Sequence, residues 1–266
     1  MKQEFEKSLN ILIKKIKETL KNNLLSIYLY GSIVLGDFKL GWSDIDILVL
    51  TKDEIDAVSA QKLLYLRQEL LKEEPNNLYY RSFEGGMLSL NGFINKTQEN
   101  VVYWGTKGEK IKQQYLLDSF SAKQLIESAK LAYGKEVRKK FKMPSYENLC
   151  QDILNHYLTI RNHAVKTDRN LYSFGWLLDI SRCIYTLKTG EIIAKTKAGE
   201  WALKNKLCPD KKALKTALKV RKKPQLKNKT DVMDYAETLG PTVQKYANVL
   251  EKYLYEYKVI DQLKHD

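Results

Sequence analysis

Residues 25–50, LSIYLYGSIVLGDFKLGWSDIDILVL, decide how the chain is read. The apolar run Leu24 to Tyr30 is rich in β-formers and stops at Gly31, the pattern of a buried strand bounded by a turn. Gly31-Ser32 then turns the chain into an expected short helix. Glycine lets the backbone approach a ligand, and serine can cap a helix or bond a phosphate oxygen. The free N–H groups at the start of such a helix suit an anion. Twelve positions after Ser32 comes Asp44-Ile45-Asp46, followed by Ile47-Leu48-Val49-Leu50. Alternate residues of a strand share a face, so Asp44 and Asp46 should point one way and Ile45 and Ile47 into the core.

Two like charges side by side repel, so a fold keeps them only where something offsets the cost. Mg²⁺ does so with a few carboxylates, several waters and the oxygens of a bound phosphate. A phosphate-binding turn facing a carboxylate pair therefore reads as a site for a nucleoside triphosphate and a metal. Each feature alone has a plainer explanation: two solvated acids at a strand edge, and an ordinary turn. Their order along the chain, with apolar residues at Tyr30, Ile45 and Ile47, favours the functional reading.

Tyr30-Gly31-Ser32, Gly36 and Ser43-Asp44-Ile45-Asp46-Ile47-Leu48-Val49 together resemble the signature of the DNA polymerase β-type nucleotidyltransferase superfamily. The resemblance implies that Asp44 and Asp46 hold Mg²⁺ and that Gly31 and Ser32 contact the triphosphate. It also implies transfer of a nucleoside monophosphate to an acceptor hydroxyl, with release of pyrophosphate. The family places a third carboxylate on a neighbouring strand, which serves as general base in antibiotic-modifying members. Glu84, the only acid between Leu78 and Ile94, is the matching choice. Where the family shows an apolar run directly after this acid, the present chain has Gly85-Gly86.

The 266 residues suit one large domain or two small ones, and 44% hydrophobic content suffices for a core. No apolar run approaches the roughly 18 residues needed to span a bilayer. The N-terminal stretch MKQEFEKSLNILIKKIKETL mixes both charges, unlike a signal peptide. Cys150, Cys183 and Cys208 are scattered with no metal-ligand spacing, which fits a reducing cytoplasm. A net charge of +13 admits a nucleic-acid partner. The lysines are spread along the whole chain beside glutamates, however, which favours a solvated basic surface.

An amphipathic helix is expected over 3–21 and a second over 53–73, ended by Pro75-Asn76-Asn77. Strand material is expected from Leu78 to Phe83 and from Met87 to Leu90, and a mixed connection over 95–120. Within it, Tyr103-Trp104-Gly105 could stack on a sugar or base, or pin two domains together. Trp42 could cover a substrate ring or close over the core. From Ser121 strand signals vanish, and helices are expected near 121–133, 146–165, 173–188, 196–205, 210–222 and 230–258. Ser145 is the expected cap of the second, and Gly240-Pro241 should kink or restart the last. Asp152 and His156, one turn apart, read as a surface pair. The basic run Arg221 to Lys229 reads as a solvated loop.

Residues 176–202 carry a second resemblance, to the helical C-terminal domain of aminoglycoside adenylyltransferases of the streptomycin/spectinomycin type. The matched features are Arg182, the Thr189-Gly190 helix stop, Lys195 and Glu200-Trp201-Ala202. The resemblance implies that Lys195 reaches the nucleotide phosphates, and Arg182 either does the same or pairs with Asp179. An acid that the family carries about ten residues before this arginine is Tyr172 here, with Asp168, Asp152 and Asp179 as nearby candidates.

The expected architecture is an α/β nucleotidyltransferase domain over 1–120, a mixed sheet with helices on one side, followed by an all-α helical bundle over 121–266. The expected cleft between them holds ATP, Mg²⁺ and a small hydroxyl-bearing acceptor, in the first instance an aminoglycoside. The alternative is nucleotidyl transfer to a protein or RNA, as in minimal nucleotidyltransferases of toxin–antitoxin systems.

Overall fold

The computed structural model describes residues 2–260 and divides into two compact units, 1–143 and 144–266. In the first, α1 (Lys2–Leu20) leads into β1 (Leu24–Tyr30), a single 3₁₀ turn (Gly31–Ile33), a loop, and β2 (Ile45–Thr51). Then come α2 (Ala57–Glu73), α3 (Leu78–Ser82), β3 (Phe83–Ser89) and α4 (Leu90–Asn95). The hairpin β4 (Val101–Gly105) and β5 (Gly108–Lys112), α5 (Ser119–Ser128) and β6 (Lys130–Gly134) complete the unit. The six strands lie in the order β5-β4-β3-β2-β1-β6. Only β2 and β3 pair in parallel, so the sheet is mixed.

The period-2 pattern of β1 and β2 builds two apolar faces rather than one. Ile27, Leu29, Ile45, Ile47 and Val49 pack with Leu12 and Ile16 of α1 and Leu63 and Leu66 of α2. Tyr28, Tyr30, Leu48 and Leu50 pack with Leu125 of α5, with Phe93 of α4 against them. The sheet is therefore covered on both faces, not on one as expected. Parallel strands at a sheet's centre read as continuous apolar runs for this reason, as Ile47 to Leu50 does.

Three local expectations give way. The segment from Leu78 is a short helix capped by Asn77, and the strand begins only at Phe83. It then runs through Gly85-Gly86 without interruption. The connection over 95–120 contains a β-hairpin. The first unit also continues past 120 to Met143, because β6 adds to the sheet edge at β1. Its half-buried residues and polar ends concealed it as a strand in the sequence.

The second unit comprises α6 (Tyr146–His163), α7 (Tyr172–Thr189), α8 (Lys195–Lys204), α9 (Lys211–Lys222), α10 (Thr230–Glu237) and α11 (Gly240–Glu256). Ser145 caps α6 through a capping box with Asn148. Gly190, at φ +72°, ends α7 in the left-handed conformation that glycine permits. The expected helix over 230–258 is two helices, with Pro241 in the first turn of α11. Arg161 on α6 joins Glu251 at 2.9 Å and Gln244 on α11, tying the two helices. All three cysteines are buried thiols. No helix among the described residues is long and apolar enough to cross a membrane.

Candidate active site

The antiparallel register of β1 and β2 sets Tyr30 opposite Asp46, so the Asp46 side chain stands beside the turn that follows Tyr30. Gly31 has φ +70°, and a Cβ built there would lie 1.9 Å from Asp46 Oδ2. Glycine is thus required twice at this turn, by conformation and by the carboxylate packed against it. Ser32 Oγ lies 3.4 Å from the Asp44 carbonyl, a long contact linking the turn to the stretch before β2. The turn is a single-turn 3₁₀ helix over Gly31–Ile33, with the Val34 and Leu35 N–H groups both donating to the Gly31 carbonyl.

The parallel register of β2 and β3 places Asp46 opposite Glu84. Adjacent strands thereby bring Gly31, Asp46 and Glu84 to one corner of the sheet. Asp44, just before β2, and Glu84 both line a cavity of about 540 Å³ with Arg67, Lys72, Arg81, Gly105 and Thr106. The glycine pair after Glu84 has steric causes. A Cβ at Gly85 would meet the Ile47 carbonyl oxygen at 1.8 Å, and one at Gly86 would meet the Tyr115 ring at 2.6 Å.

Two hydroxyl donors surround Glu84: Tyr103, which the sequence offered only as a stacking or pinning aromatic, and Thr106, which it did not single out. Tyr103 OH donates to Oε1 at 2.7 Å, and Thr106 Oγ1 donates to Oε2 at 3.1 Å. Burial, with the hydrogen bond to Glu84 next, holds the Tyr103 phenol well above its ordinary range. The Tyr30 and Tyr115 hydroxyls meet at 3.3 Å. Burial pushes Tyr115 up to about 12, with the charges of Asp46, Glu84 and Asp118 adding to it. Trp104 is fully buried in the core, its Nε1 donating to the Leu63 carbonyl at 3.0 Å.

Among the described residues, no three His, Cys, Asp or Glu side chains gather as a metal-ligand cluster. The candidate donor set is therefore the pair Asp44 and Asp46. Two carboxylates suit Mg²⁺, which completes its octahedron with water and phosphate oxygens.

The helical unit holds the other two residues singled out. Lys195 Nζ donates to Asp179 Oδ2 at 2.9 Å, and Arg182 Nη2 donates to Oδ1 at 3.0 Å. Both cations thus share one carboxylate, whose side chain is 16% exposed. Burial alone would raise the Asp179 carboxyl, but Lys195, Arg182 and His156 outweigh it and hold it at about 2. His156, read as partner of Asp152 alone, is close enough to act on Asp179 from α6. In the run from Arg221 to Lys229, Arg221 is 4% exposed and not a solvated charge.

A mixed sheet with carboxylates beside a glycine-serine turn defines a nucleotidyltransferase domain, and a helical unit with a Lys-Arg-Asp cluster follows it. The family model for the nucleotidyltransferase domain matches residues 9–91, and that for the aminoglycoside adenylyltransferase C-terminal domain matches residues 140–248. The fold is similar to that of spectinomycin adenyltransferase AAD(9) from Enterococcus faecialis, solved with ATP and spectinomycin. That match has TM-score 0.65 at 20% identity and covers 92% of this chain and 99% of the other. A Shewanella oneidensis complex of tri-AMPylated HEPN toxin with MNT antitoxin matches at 18% identity, over 49% of this chain and 73% of that one. Its TM-score is 0.26, and it carries no argument. No curated protein matches significantly. By these matches residues 9–91 are similar to nucleotidyltransferase domains and residues 140–248 to the C-terminal domain of aminoglycoside adenylyltransferases.

Proposed function

We propose that the protein transfers AMP from ATP to a hydroxyl of a small acceptor, an aminoglycoside-type antibiotic, and releases pyrophosphate. The observation that carries this reading is the packing of Asp46 against Gly31 with Glu84 in register on the next strand. A phosphate-approach turn, a metal-binding acid and a candidate base occupy one corner. ATP and spectinomycin in the AAD(9) complex support the choice of co-substrate and acceptor class.

Gly31 and Ser32 would hold the triphosphate, and Asp44 and Asp46 would hold Mg²⁺. The metal supplies charge neutralisation on the phosphates. Glu84 would accept the proton of the acceptor hydroxyl. The freed oxygen attacks the α-phosphorus in line, and the bond from that phosphorus to the bridging oxygen breaks to release pyrophosphate. Within the helical unit, Lys195 and Arg182 would offer positive charge to a phosphate group, with Asp179 fixing the direction of both.

Incubation with labelled ATP, Mg²⁺ and a panel of aminoglycosides tests the proposal. Pyrophosphate release that depends on a small molecule supports it. Label appearing on RNA or protein instead would favour the macromolecular acceptor.

A further inference from the structure

The chemistry proposed for Glu84 requires its carboxylate to present one direction to an incoming hydroxyl. Four features of the structure act on that direction. First, Tyr103 and Thr106 donate to different oxygens of Glu84, at 2.7 Å and 3.1 Å. Second, Tyr103 stands opposite Gly86 in the β3–β4 register, which makes Glu84 its diagonal neighbour on the next strand. Third, the Tyr103 ring is confined. The Tyr115 ring lies 5.9 Å away, Lys112 Nζ sits 3.9 Å from the ring centroid, and a Cβ at Gly105 would meet the ring at 2.5 Å. Fourth, buried Arg67 staples the backbone on both sides. Its Nη1 donates to the Phe83 carbonyl at 2.8 Å and its Nη2 to the Gly105 carbonyl at 3.0 Å. Those are the residues immediately before Glu84 and Thr106.

We infer that Tyr103 and Thr106 are positioning residues that aim Glu84 at the acceptor hydroxyl, with Arg67 locking the β4–β5 hairpin that carries them. The inference rests on the adenylylation reading and adds residues to it. A neutral pair of hydroxyls suits this task, because it orients the carboxylate without cancelling its charge. An Arg or Lys in either place would compete for the charge that must accept the proton. Misaim of a reacting group by about 1 Å can lower turnover by about a hundredfold without altering substrate binding. The signature of this role is therefore a loss in kcat with KM unchanged.

The test uses the full-length protein with labelled ATP, Mg²⁺ and spectinomycin, or whichever panel member the wild type modifies. Tyr103→Phe keeps the ring and removes only the donor. It should lower kcat about tenfold, with both KM values within about twofold and the melting temperature nearly unchanged. Thr106→Val should lower kcat about threefold, and Thr106→Ser should restore it. Glu84→Asp shortens the acid beyond reach of the phenol, so adding Tyr103→Phe to it should cost less than about twofold more. Wild-type kcat in Tyr103→Phe would overturn the positioning role while leaving the adenylylation reading standing. So would a full tenfold loss that persists on Glu84→Asp, or a change confined to KM. A wild type that transfers AMP to no acceptor overturns both.

Discussion

The corner of the sheet around Glu84 and the cluster around Asp179 each hold a carboxylate in a fixed direction, by opposite means. Glu84 accepts hydrogen bonds from two neutral hydroxyls, and the charge of Lys112 acts on it through space. Asp179 is held by Lys195 and Arg182, so its charge is more than matched, two cations to one anion. The first arrangement leaves a group able to accept a proton or face a cation. The second stabilises the fold and leaves one positive charge in excess. The lesson is that the identity of the donors, and not the mere presence of an acid, separates a group poised for chemistry from one that braces structure.

The largest expected effects break the first side of this comparison. Asp46→Asn should reduce adenylyl transfer to background, a loss of about a thousandfold or more, with an unchanged circular dichroism spectrum. Gly31→Ala should approach the same loss, since its Cβ would displace the Asp46 carboxylate. Retained turnover in either would separate the acid pair from catalysis.

Next is Asp179→Asn, which leaves Lys195 and Arg182 facing each other without their shared anion. A loss of about 3 kcal/mol in denaturant stability is expected, the size seen when one partner of a mostly buried pair is removed. A variant that loses transfer but no stability would mean that the cluster is functional only.

Opposite ends of the pH scale sharpen the contrast. Asp179 is held at about 2 against an ordinary 3.8, so its stabilisation is present above pH 4 and lost as pH falls toward 2. Tyr115 is pushed up to about 12 from 10, so its contribution is present below pH 10 and lost as pH rises toward 12. Each amounts to about 2–3 kcal/mol by linkage. Acid titration should therefore loosen the helical unit through Asp179, and alkali the sheet unit through Tyr115. Asp179→Asn and Tyr115→Phe respectively should flatten those limbs.

The smallest effect expected is at Lys222 and Glu200, which meet at 2.6 Å with both side chains about half exposed. Glu200→Gln should change stability by less than about 0.5 kcal/mol and turnover not at all. A large effect there would show that the basic end of α9 does more than face solvent.

The motif residues were legible because each carries local information. Gly31 is forced by a backbone angle, and Asp44-Ile45-Asp46 by the two-residue period of a strand. Glu84 was reached through the family resemblance, as the one acid in the region where the family carries a third carboxylate. Tyr103, Thr106 and Arg67 were not legible as a group. They are 19, 22 and 17 positions from Glu84, and nothing local ties a hairpin hydroxyl to a carboxylate on another strand. The division at 120 missed β6 for a similar reason. KLAYG has little strand character of its own, and pairing with β1 makes it a strand.

By itself the sequence determined the strand-turn-strand motif, the mixed sheet and the helical second unit. Those follow from backbone preferences and from the spacing of apolar and charged residues, which are properties of neighbours along the chain. Only the tertiary structure decided that Asp46 crowds Gly31, that two hydroxyls hold Glu84, and that Lys195 and Arg182 converge on Asp179. Strand register and helix packing select those partners from distant positions, and the energy of a contact depends on distance in space and not along the chain.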